Sequence, residues 1–208
     1  MLIPSSVKII EYEDIDLGDR HNAALQNETA AKLLNDLLPS QGRLVTIDGF
    51  DGTGKSALAK ALGKIIGAEI ISLDDFLEKQ QGHFLTAVKY GALNQIVLSA
   101  LEKGKPVILE GCLVQAVIKR LKLESSFRAY IMKTSQMFSV PEHEWADERE
   151  ILYDEISTNE LITKLEEQAK KFDHSSKMSG LTKELIHYHR DYRPHDIADV
   201  IVKRVRKI

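Results

Sequence analysis

Short runs of apolar, often β-branched residues recur along the chain and alternate with longer stretches whose apolar positions follow a helical spacing. The short runs are typical of buried strands, and the longer stretches are typical of helices with one packed face. Five strands are predicted, over residues 43–48, 69–73, 105–111, 127–133 and 198–205. Strands alternating with helices favour a parallel sheet covered on both faces. The pattern therefore predicts an α/β fold with a five-stranded parallel sheet flanked by helices.

Helices are predicted over residues 20–38, 55–67, 84–103 and 181–190 from the spacing of their apolar residues. Pro39 and Gly42 follow the first of these stretches and end it. Residues 1–18 mix short apolar stretches with acids, which fits either a strand or an ordered arm. Residues 142–173 are rich in charge, and the run 142–150 fits either a solvated helix face or a mobile lid.

Length and composition suit one domain. The chain has 208 residues, 43% of them hydrophobic, which is enough for one sizeable core and little for two. No repeat or linker divides it. We therefore expect a single domain over residues 1–208, with an N-terminal extension over residues 1–40 and a lid region over residues 134–180.

Charge, cysteine content and apolar runs exclude several classes of protein. The net charge of −3 provides no positive field to attract nucleic acid or an anionic membrane. The single cysteine, Cys112, excludes an internal disulfide and a multi-cysteine zinc site, and it fits a reducing compartment. No signal peptide and no bilayer-spanning run is present in the sequence. We expect a cytoplasmic protein without a nucleic-acid or membrane partner.

The segment GFDGTGKS at residues 49–56 matches the phosphate-binding pattern G-x-x-x-x-G-K-[ST]. Glycines let backbone N–H groups surround phosphate oxygens, and the N-terminus of the next helix adds a partial positive charge. Lys55 is expected to reach the β- and γ-phosphates, and Ser56 to ligate Mg²⁺. A glycine-rich turn that matches by chance is the alternative, which the flanking strand and helix disfavour. The predicted ATP-binding residues are Gly49, Asp51, Gly52, Thr53, Gly54, Lys55, Ser56 and Ala57.

Three carboxylates follow predicted strands at the end where ligands bind in parallel sheets. Asp74 and Asp75 come after the second strand, and Glu110 ends the third. A carboxylate at this edge can accept or orient the proton of a substrate hydroxyl. The alternatives are that the aspartates cap the next segment or hold Mg²⁺ through water. Glu110 could hold Mg²⁺ through water, contact substrate, or simply be solvated.

Four segments together resemble the uridine kinase-like branch of the P-loop kinases, which includes relatives of phosphoribulokinase and bacterial pantothenate kinase. They are IDGFDGTGKSALAKAL, IISLDDF, VILEG and HYHRDYRPHDIADVIV, across roughly residues 43–111 and 187–203. The resemblance implies a P-loop NTPase fold of the nucleoside-kinase type and Mg²⁺-dependent transfer of the γ-phosphoryl group of ATP to a hydroxyl. It implies that Asp74 is the general base and that four residues lie near substrate or nucleotide: Phe76, Glu110, Tyr192 and Arg193.

The chain departs from the pattern of this family in the lid. The family commonly carries an arginine-rich helix after the fourth strand, whereas Arg149 is the sole arginine of residues 129–189. Arginine binds phosphate through two parallel hydrogen bonds and is therefore a better phosphate ligand than lysine. Either Arg149 closes on ATP or another arginine does, the candidates being Arg120, Arg128, Arg190 and Arg193.

Three functional hypotheses follow. The first is an ATP-dependent kinase of a small-molecule hydroxyl, with a nucleoside as the expected acceptor and pantothenate, glycerate or a sugar as alternatives. The second is a nucleotide-binding regulatory protein that has lost catalysis. The third, a GTPase-like switch, is disfavoured because the sequence lacks an Asn-Lys-x-Asp element. The sequence makes no prediction of the oligomeric state.

The seven histidines do not form a convincing set of metal ligands. His187 and His189 differ by two positions, so on a helix they face different sides. Structural or substrate-facing roles are expected for them and for His195. Cys112 is expected to be buried rather than nucleophilic, because no cation adjoins it in sequence to lower its pKa.

Overall fold

A six-stranded parallel sheet forms the centre of the protein, with strand order β1-β6-β5-β2-β4-β3. The computed structural model describes residues 7–13, 20–40, 43–78, 83–135, 156–172 and 180–206. The strands are β1 (Lys8–Glu13), β2 (Leu44–Gly49), β3 (Glu69–Ser72), β4 (Val107–Glu110), β5 (Phe127–Ser135) and β6 (Val200–Arg206). The α/β fold predicted from the alternation of strands and helices is confirmed.

The predicted number of five strands is wrong, because β1 in the N-terminal extension pairs with β6 at the edge of the sheet. The other five strands are confirmed, with small shifts at their ends. In β1, Ile10 is buried whereas the neighbouring Ile9 is 46% exposed. An edge strand that buries only alternate side chains lacks the continuous apolar run that identifies the central strands.

Helices connect the strands over seven described segments. They are α1 (Arg20–Asn35), α2 (Lys55–Ile66), α3 (Phe84–Ala87), α4 (Tyr90–Glu102), α5 (Val114–Leu121), α6 (Thr158–Phe172) and α7 (Gly180–His187). A 3-10 helix (Leu73–Phe76) follows β3, and a π-helix (Tyr188–Tyr192) continues α7. Among these described helices, none has both the length and the apolar character needed to cross a bilayer.

One helix prediction needs correction, and two described helices, α5 and α6, were not predicted. The stretch 84–103 is divided into α3 and α4, because Val88 between them forms an antiparallel bridge with Leu77. The short helix α5 was not predicted. Its last turn carries Lys119 and Arg120, and basic residues are favoured at the end of a helix. Eight residues give too few turns for a helical spacing to be distinguished from the apolar run that precedes it.

Each face of the sheet is covered by its own hydrophobic cluster. On one face α1 and α2 pack over the sheet, with Ala31, Leu34, Leu58, Leu62, Ile47 and Val202 fully or almost fully buried. On the other face α4, α5, α7 and the π-helix contribute Leu93, Val97, Val114, Val117, Leu185 and Tyr188. Neighbouring residues of one strand, such as Leu44 and Val45, belong to different clusters, as the alternation of side chains in a strand requires.

The order of the strands brings the predicted carboxylates to the phosphate loop. Strand β2, which leads into the loop, lies between β5 and β4. Ile47 of β2 pairs with Glu110 of β4, and Glu110 pairs in turn with Ser72 of β3. The carboxyl ends of parallel strands lie at one edge of a sheet. The loop, Glu110 and the segment that contains Asp74 therefore meet at this edge.

We expect Leu34→Ala to lower the free energy of unfolding by about 3 kcal/mol, because Leu34 of α1 is fully buried against α2. Urea denaturation measures this change. Leu33→Ala is the matched control, since Leu33 is 46% exposed on the same helix, and it should cost less than about 0.5 kcal/mol. Equal losses in the two variants would contradict the packing of α1 on the core.

Candidate functional site

The phosphate loop between β2 and α2 is built on glycines in the left-handed region. Gly52 has φ of 70° and Gly54 has φ of 95°, conformations that cost other residues free energy. Gly54, the N-cap of α2, has no side chain that could accept a hydrogen bond from the first turn, so it leaves those N–H groups available. Successive N–H groups in such a turn form an anion-binding concavity. The local geometry fits a bound phosphate chain.

Lys55 lies inside this loop. Its side chain is 7% exposed, and its ammonium group donates a hydrogen bond of 2.5 Å to the carbonyl oxygen of Phe50. The hydroxyl of Thr53 donates to the same oxygen over 2.9 Å. The Phe50 carbonyl thus fixes the cation above the loop, where phosphate oxygens could replace it as the acceptor.

Ser56 and Glu110 form the polar pair predicted for a divalent ion. The hydroxyl of Ser56 donates a hydrogen bond of 3.0 Å to Oε1 of Glu110. Among the described residues, no group of three or more His, Cys, Asp or Glu side chains could hold a metal ion. Mg²⁺ binds few protein oxygens and shares the oxygens of substrate phosphates. The pair fits Mg²⁺ bound together with a nucleotide, and it does not fit a closed structural metal site.

A cavity of about 470 Å³ joins the phosphate loop to the predicted acceptor side. The loop contributes Asp51, Gly52, Gly54, Lys55, Ser56 and Ala57, and the acceptor side contributes Asp74, Leu77, Phe84, Glu110, Cys112 and Leu185. Asp74 is exposed to solvent. The structure therefore brings together the loop, Asp74 and Glu110 around one space. Cys112 is buried, as expected, and burial raises its pKa to about 12, which disfavours the nucleophilic thiolate.

Five predicted site residues lie elsewhere. Gly49 and Thr53 are in the loop but not among the residues that line the cavity, and Phe76 packs against the core. Tyr192 stacks on Tyr188 and lines a separate cavity of about 380 Å³. Arg193 donates to Asp196 over 2.5 Å. Arg149 lies outside the described residues.

Close packing against the neighbouring strand requires a glycine at position 49. A Cβ atom at this position would lie 2.5 Å from the carbonyl oxygen of Ile131 in β5. Backbone of a neighbouring strand cannot move aside as a flexible side chain can. The first glycine of the motif therefore allows the loop to leave β2 beside β5.

Asp48, just before the loop, is a buried carboxylate that was predicted only as part of a strand. It accepts hydrogen bonds from the N–H of Gly49, the N–H of Gln115 and the hydroxyl of Tyr188. Burial raises its pKa to about 6, against the effect of these bonds. An acid that ends an apolar strand was the available signal, but its partners lie on distant segments of the chain.

His189 packs against the outer side of the loop. Its ring stacks on Phe50 with centroids 3.8 Å apart, and the ring of Tyr188 meets it edge-on at 5.0 Å. The side chain is fully buried, and burial lowers its pKa to about 3. His195 is also fully buried, and its pKa is lowered to about 4 for the same reason. Of the two expected roles, the structure assigns the structural one to both histidines.

The four candidate phosphate-binding arginines of the described residues are engaged away from the cavity. Arg120 lies over the ring of Tyr90. Arg128 donates a hydrogen bond to Ile197, Arg190 to Ile156, and Arg193 to Asp196. A different arginine, which the sequence pattern did not indicate, contacts the loop. Arg204 of β6 donates a hydrogen bond of 2.6 Å to the carbonyl oxygen of Thr53 in the loop.

No protein-family model and no curated protein matches the chain. Two solved structures resemble it in fold. A possible uridine kinase from Bacillus stearothermophilus has a TM-score of 0.48 and 12% identity, covering 87% of this chain and 99% of its own. A candidate fructose transport system kinase from Silicibacter sp. TM1040 has a TM-score of 0.39 and 16% identity, covering 84% and 98%. Similarity at this level does not identify a reaction, so the chemistry of the site is inferred from its own residues.

We expect His189→Phe to make the protein less sensitive to acid. The folded-state pKa of His189 lies below its unfolded value, so the unfolded state binds the proton more readily. The stability that neutral His189 contributes to the folded state is fully present above the pKa of the unfolded state, and it is lost as the pH falls below that value. Between about pH 7 and 4.5, the wild-type protein should lose roughly 2–3 kcal/mol more unfolding free energy than the variant. Urea denaturation at a series of pH values measures this.

Two features make this comparison specific to His189. The raised pKa of Asp48 acts in the opposite direction in both proteins and therefore cancels in the difference. His83→Phe is the control, because the side chain of His83 is 65% exposed, and it should keep the wild-type pH dependence. An unchanged pH dependence in His189→Phe would show that this ring does not become charged on unfolding.

Proposed function

We propose that the protein is an ATP-dependent phosphotransferase that uses the hydroxyl of a small molecule as acceptor. The observation that carries the proposal is that Lys55, the Ser56–Glu110 pair and Asp74 line one cavity with the glycine loop. A phosphate-binding loop alone would serve a switch or a motor equally well. A carboxylate that faces the same space provides the proton acceptor that transfer to a hydroxyl requires.

The residues would divide the work of the transfer between binding and proton acceptance. The loop N–H groups and Lys55 hold the phosphate chain, and Ser56 with Glu110 holds Mg²⁺. ATP with Mg²⁺ supplies the phosphoryl group and neutralises part of its charge. Asp74 orients the acceptor hydroxyl and takes its proton as the new P–O bond forms and ADP leaves. Catalysis of this kind consists mainly of positioning and electrostatic stabilisation.

A nucleoside is the acceptor that we propose first. Beside Asp74 the cavity has apolar walls from Leu77, Phe84 and Leu185, which suit the flat face of a base or another ring. Pantothenate, glycerate and sugar hydroxyls need the same carboxylate and remain the alternatives.

A nucleotide-binding regulatory protein without catalysis is the second candidate. The observation that favours it is that Lys55 is the one Lys or Arg side chain among the described residues that lines the cavity. The four arginines proposed as phosphate ligands are engaged elsewhere in the described structure. Mg·ATP binding without turnover on any acceptor would support this candidate.

The test of the proposed function is ADP release from Mg·ATP in the presence of nucleosides, pantothenate, glycerate, sugars or sugar phosphates. One acceptor that raises turnover far above the hydrolysis background would support a kinase and name its substrate class. Turnover that equals the background with every acceptor, although Mg·ATP binds, would favour the regulatory protein. Failure to bind Mg·ATP would contradict both candidates.

We expect Lys55→Ala and Asp74→Asn each to lower kcat about a hundredfold or more with the best acceptor. The first removes the cation of the phosphate loop, and the second removes the proton acceptor. Steady-state ADP release measures the effect. Asp75→Asn is the matched control, because Asp75 is exposed beside Asp74 but does not line the cavity, and its kcat should stay near wild type. Unchanged turnover in Asp74→Asn would remove Asp74 from the mechanism.

We expect Glu110→Gln to raise the Mg²⁺ concentration needed for half-maximal activity by about tenfold to a hundredfold. The variant removes the negative charge of the carboxylate that accepts a hydrogen bond from Ser56 and attracts the divalent ion. Titration of Mg²⁺ at fixed ATP measures this shift. Glu69→Gln, at the opposite end of β3 from the cavity, should keep the wild-type dependence. An identical Mg²⁺ dependence in both variants would exclude Glu110 from the metal site.

A further inference from the structure

Arg204 approaches the phosphate loop from behind. The residue is 7% exposed and is not among the residues that line the cavity. Its Nη1 atom lies 2.6 Å from the carbonyl oxygen of Thr53. A Cβ atom on Gly54 would lie 2.1 Å from the same Nη1 atom. The glycine at this position is therefore needed for the close approach of the guanidinium as well as for its own backbone conformation.

The hydrogen bond from Arg204 fixes the direction of a loop N–H group. The described chain has no cis peptide bond, and in a trans peptide the C=O and the following N–H point in opposite directions. Because the carbonyl of Thr53 points to Arg204, the N–H of Gly54 points away from it. Gly54 lines the cavity and Arg204 does not, so we infer that the cavity lies on the side of the loop away from the guanidinium. Arg204 thus orients this donor toward the space where phosphate would bind.

The N-terminal strand packs beside Arg204. In the pairing of β1 with β6, Tyr12 stands opposite Arg204, so both side chains lie on one face of the sheet. The guanidinium carbon lies 6.0 Å from the centre of the Tyr12 ring, at the limit of a cation–π contact. Tyr12 also packs against the cluster formed by α1 and α2. Because Tyr12 is anchored in this way, its ring limits the positions that the Arg204 guanidinium can adopt.

We propose that Arg204, held by Tyr12 of the N-terminal strand, is a positioning residue of the phosphate site. It keeps the N–H of Gly54 directed at the phosphate chain and places a permanent positive charge behind the loop. Charges that are shielded from water are screened less by salt than charges on the surface. The inference rests on the proposed nucleotide site, and it assigns a role to the N-terminal extension.

The test compares Mg·ADP affinity, measured by calorimetry, with the unfolding free energy in the absence of nucleotide. Arg204→Met should weaken Mg·ADP binding about tenfold or more, since a hydrogen bond from a charged donor is lost. Arg204→Lys keeps the charge but not the planar group, and should lose less. Tyr12→Leu should weaken binding severalfold, whereas Tyr12→Phe, which keeps the ring, should bind nearly as the wild type does.

Ser126→Ala separates positioning from general stability. Ser126 exchanges hydrogen bonds with the backbone of Leu44, at the end of β2 that is remote from the loop. This variant should lose stability and keep its Mg·ADP affinity. If Arg204→Met is too unstable to study, Arg204→Lys and Tyr12→Leu give the same comparison.

Two results would overturn the inference while leaving the proposed function intact. One is wild-type Mg·ADP affinity in the Arg204 and Tyr12→Leu variants. The other is a loss of affinity in Ser126→Ala as large as in an Arg204 variant of equal stability. If the wild-type protein itself does not bind Mg·ADP, the proposed function fails and the inference fails with it. If it binds Mg·ADP but transfers no phosphate, only the activity fails.

Discussion

The direction of the peptide groups in the phosphate loop is the constraint on which the site depends. A glycine-rich segment has more conformational freedom than any other sequence of its length, yet an anion site needs its N–H groups to converge. Four contacts from outside the loop restrict it. Tyr188 and Gln115 hold Asp48 just before the loop, His189 stacks on Phe50 near its start, and Arg204 holds the carbonyl of Thr53 near its end.

These restraints come from segments that are far from the loop in sequence, in the outer elements of the fold. The π-helix after α7 supplies both Tyr188 and His189, and β6 supplies Arg204. Strand β1 covers β6 at the edge of the sheet and sets Tyr12 beside that arginine. The extension at the N-terminus is therefore continuous with the packing around the loop, and α1 adds its buried face to the same cluster as α2.

The local sequence pattern was sufficient to predict the features that depend on spacing along the chain. The central strands follow from apolar runs, the loop from its glycines, and the positions of Asp74 and Glu110 from the ends of two strands. The sequence could not reveal partners that only the sheet order brings together. Neither Arg204 nor Tyr188 was predicted as a site residue, because their roles depend on contacts with residues 151 and 140 positions away.

The charges around the cavity set a condition on any phosphate chemistry there. Asp51, Asp74 and Glu110 line the same space as Lys55, so the described lining carries more negative than positive side chains. A phosphate chain entering that space meets repulsion, unless loop N–H groups and a divalent ion offset it. A guanidinium behind the loop lowers the same repulsion without occupying the cavity. In the proposed function, the buried Arg204 of β6 and Mg²⁺ at Ser56 together offset the charge of the phosphate chain. Arginines of a closing lid would otherwise perform this task.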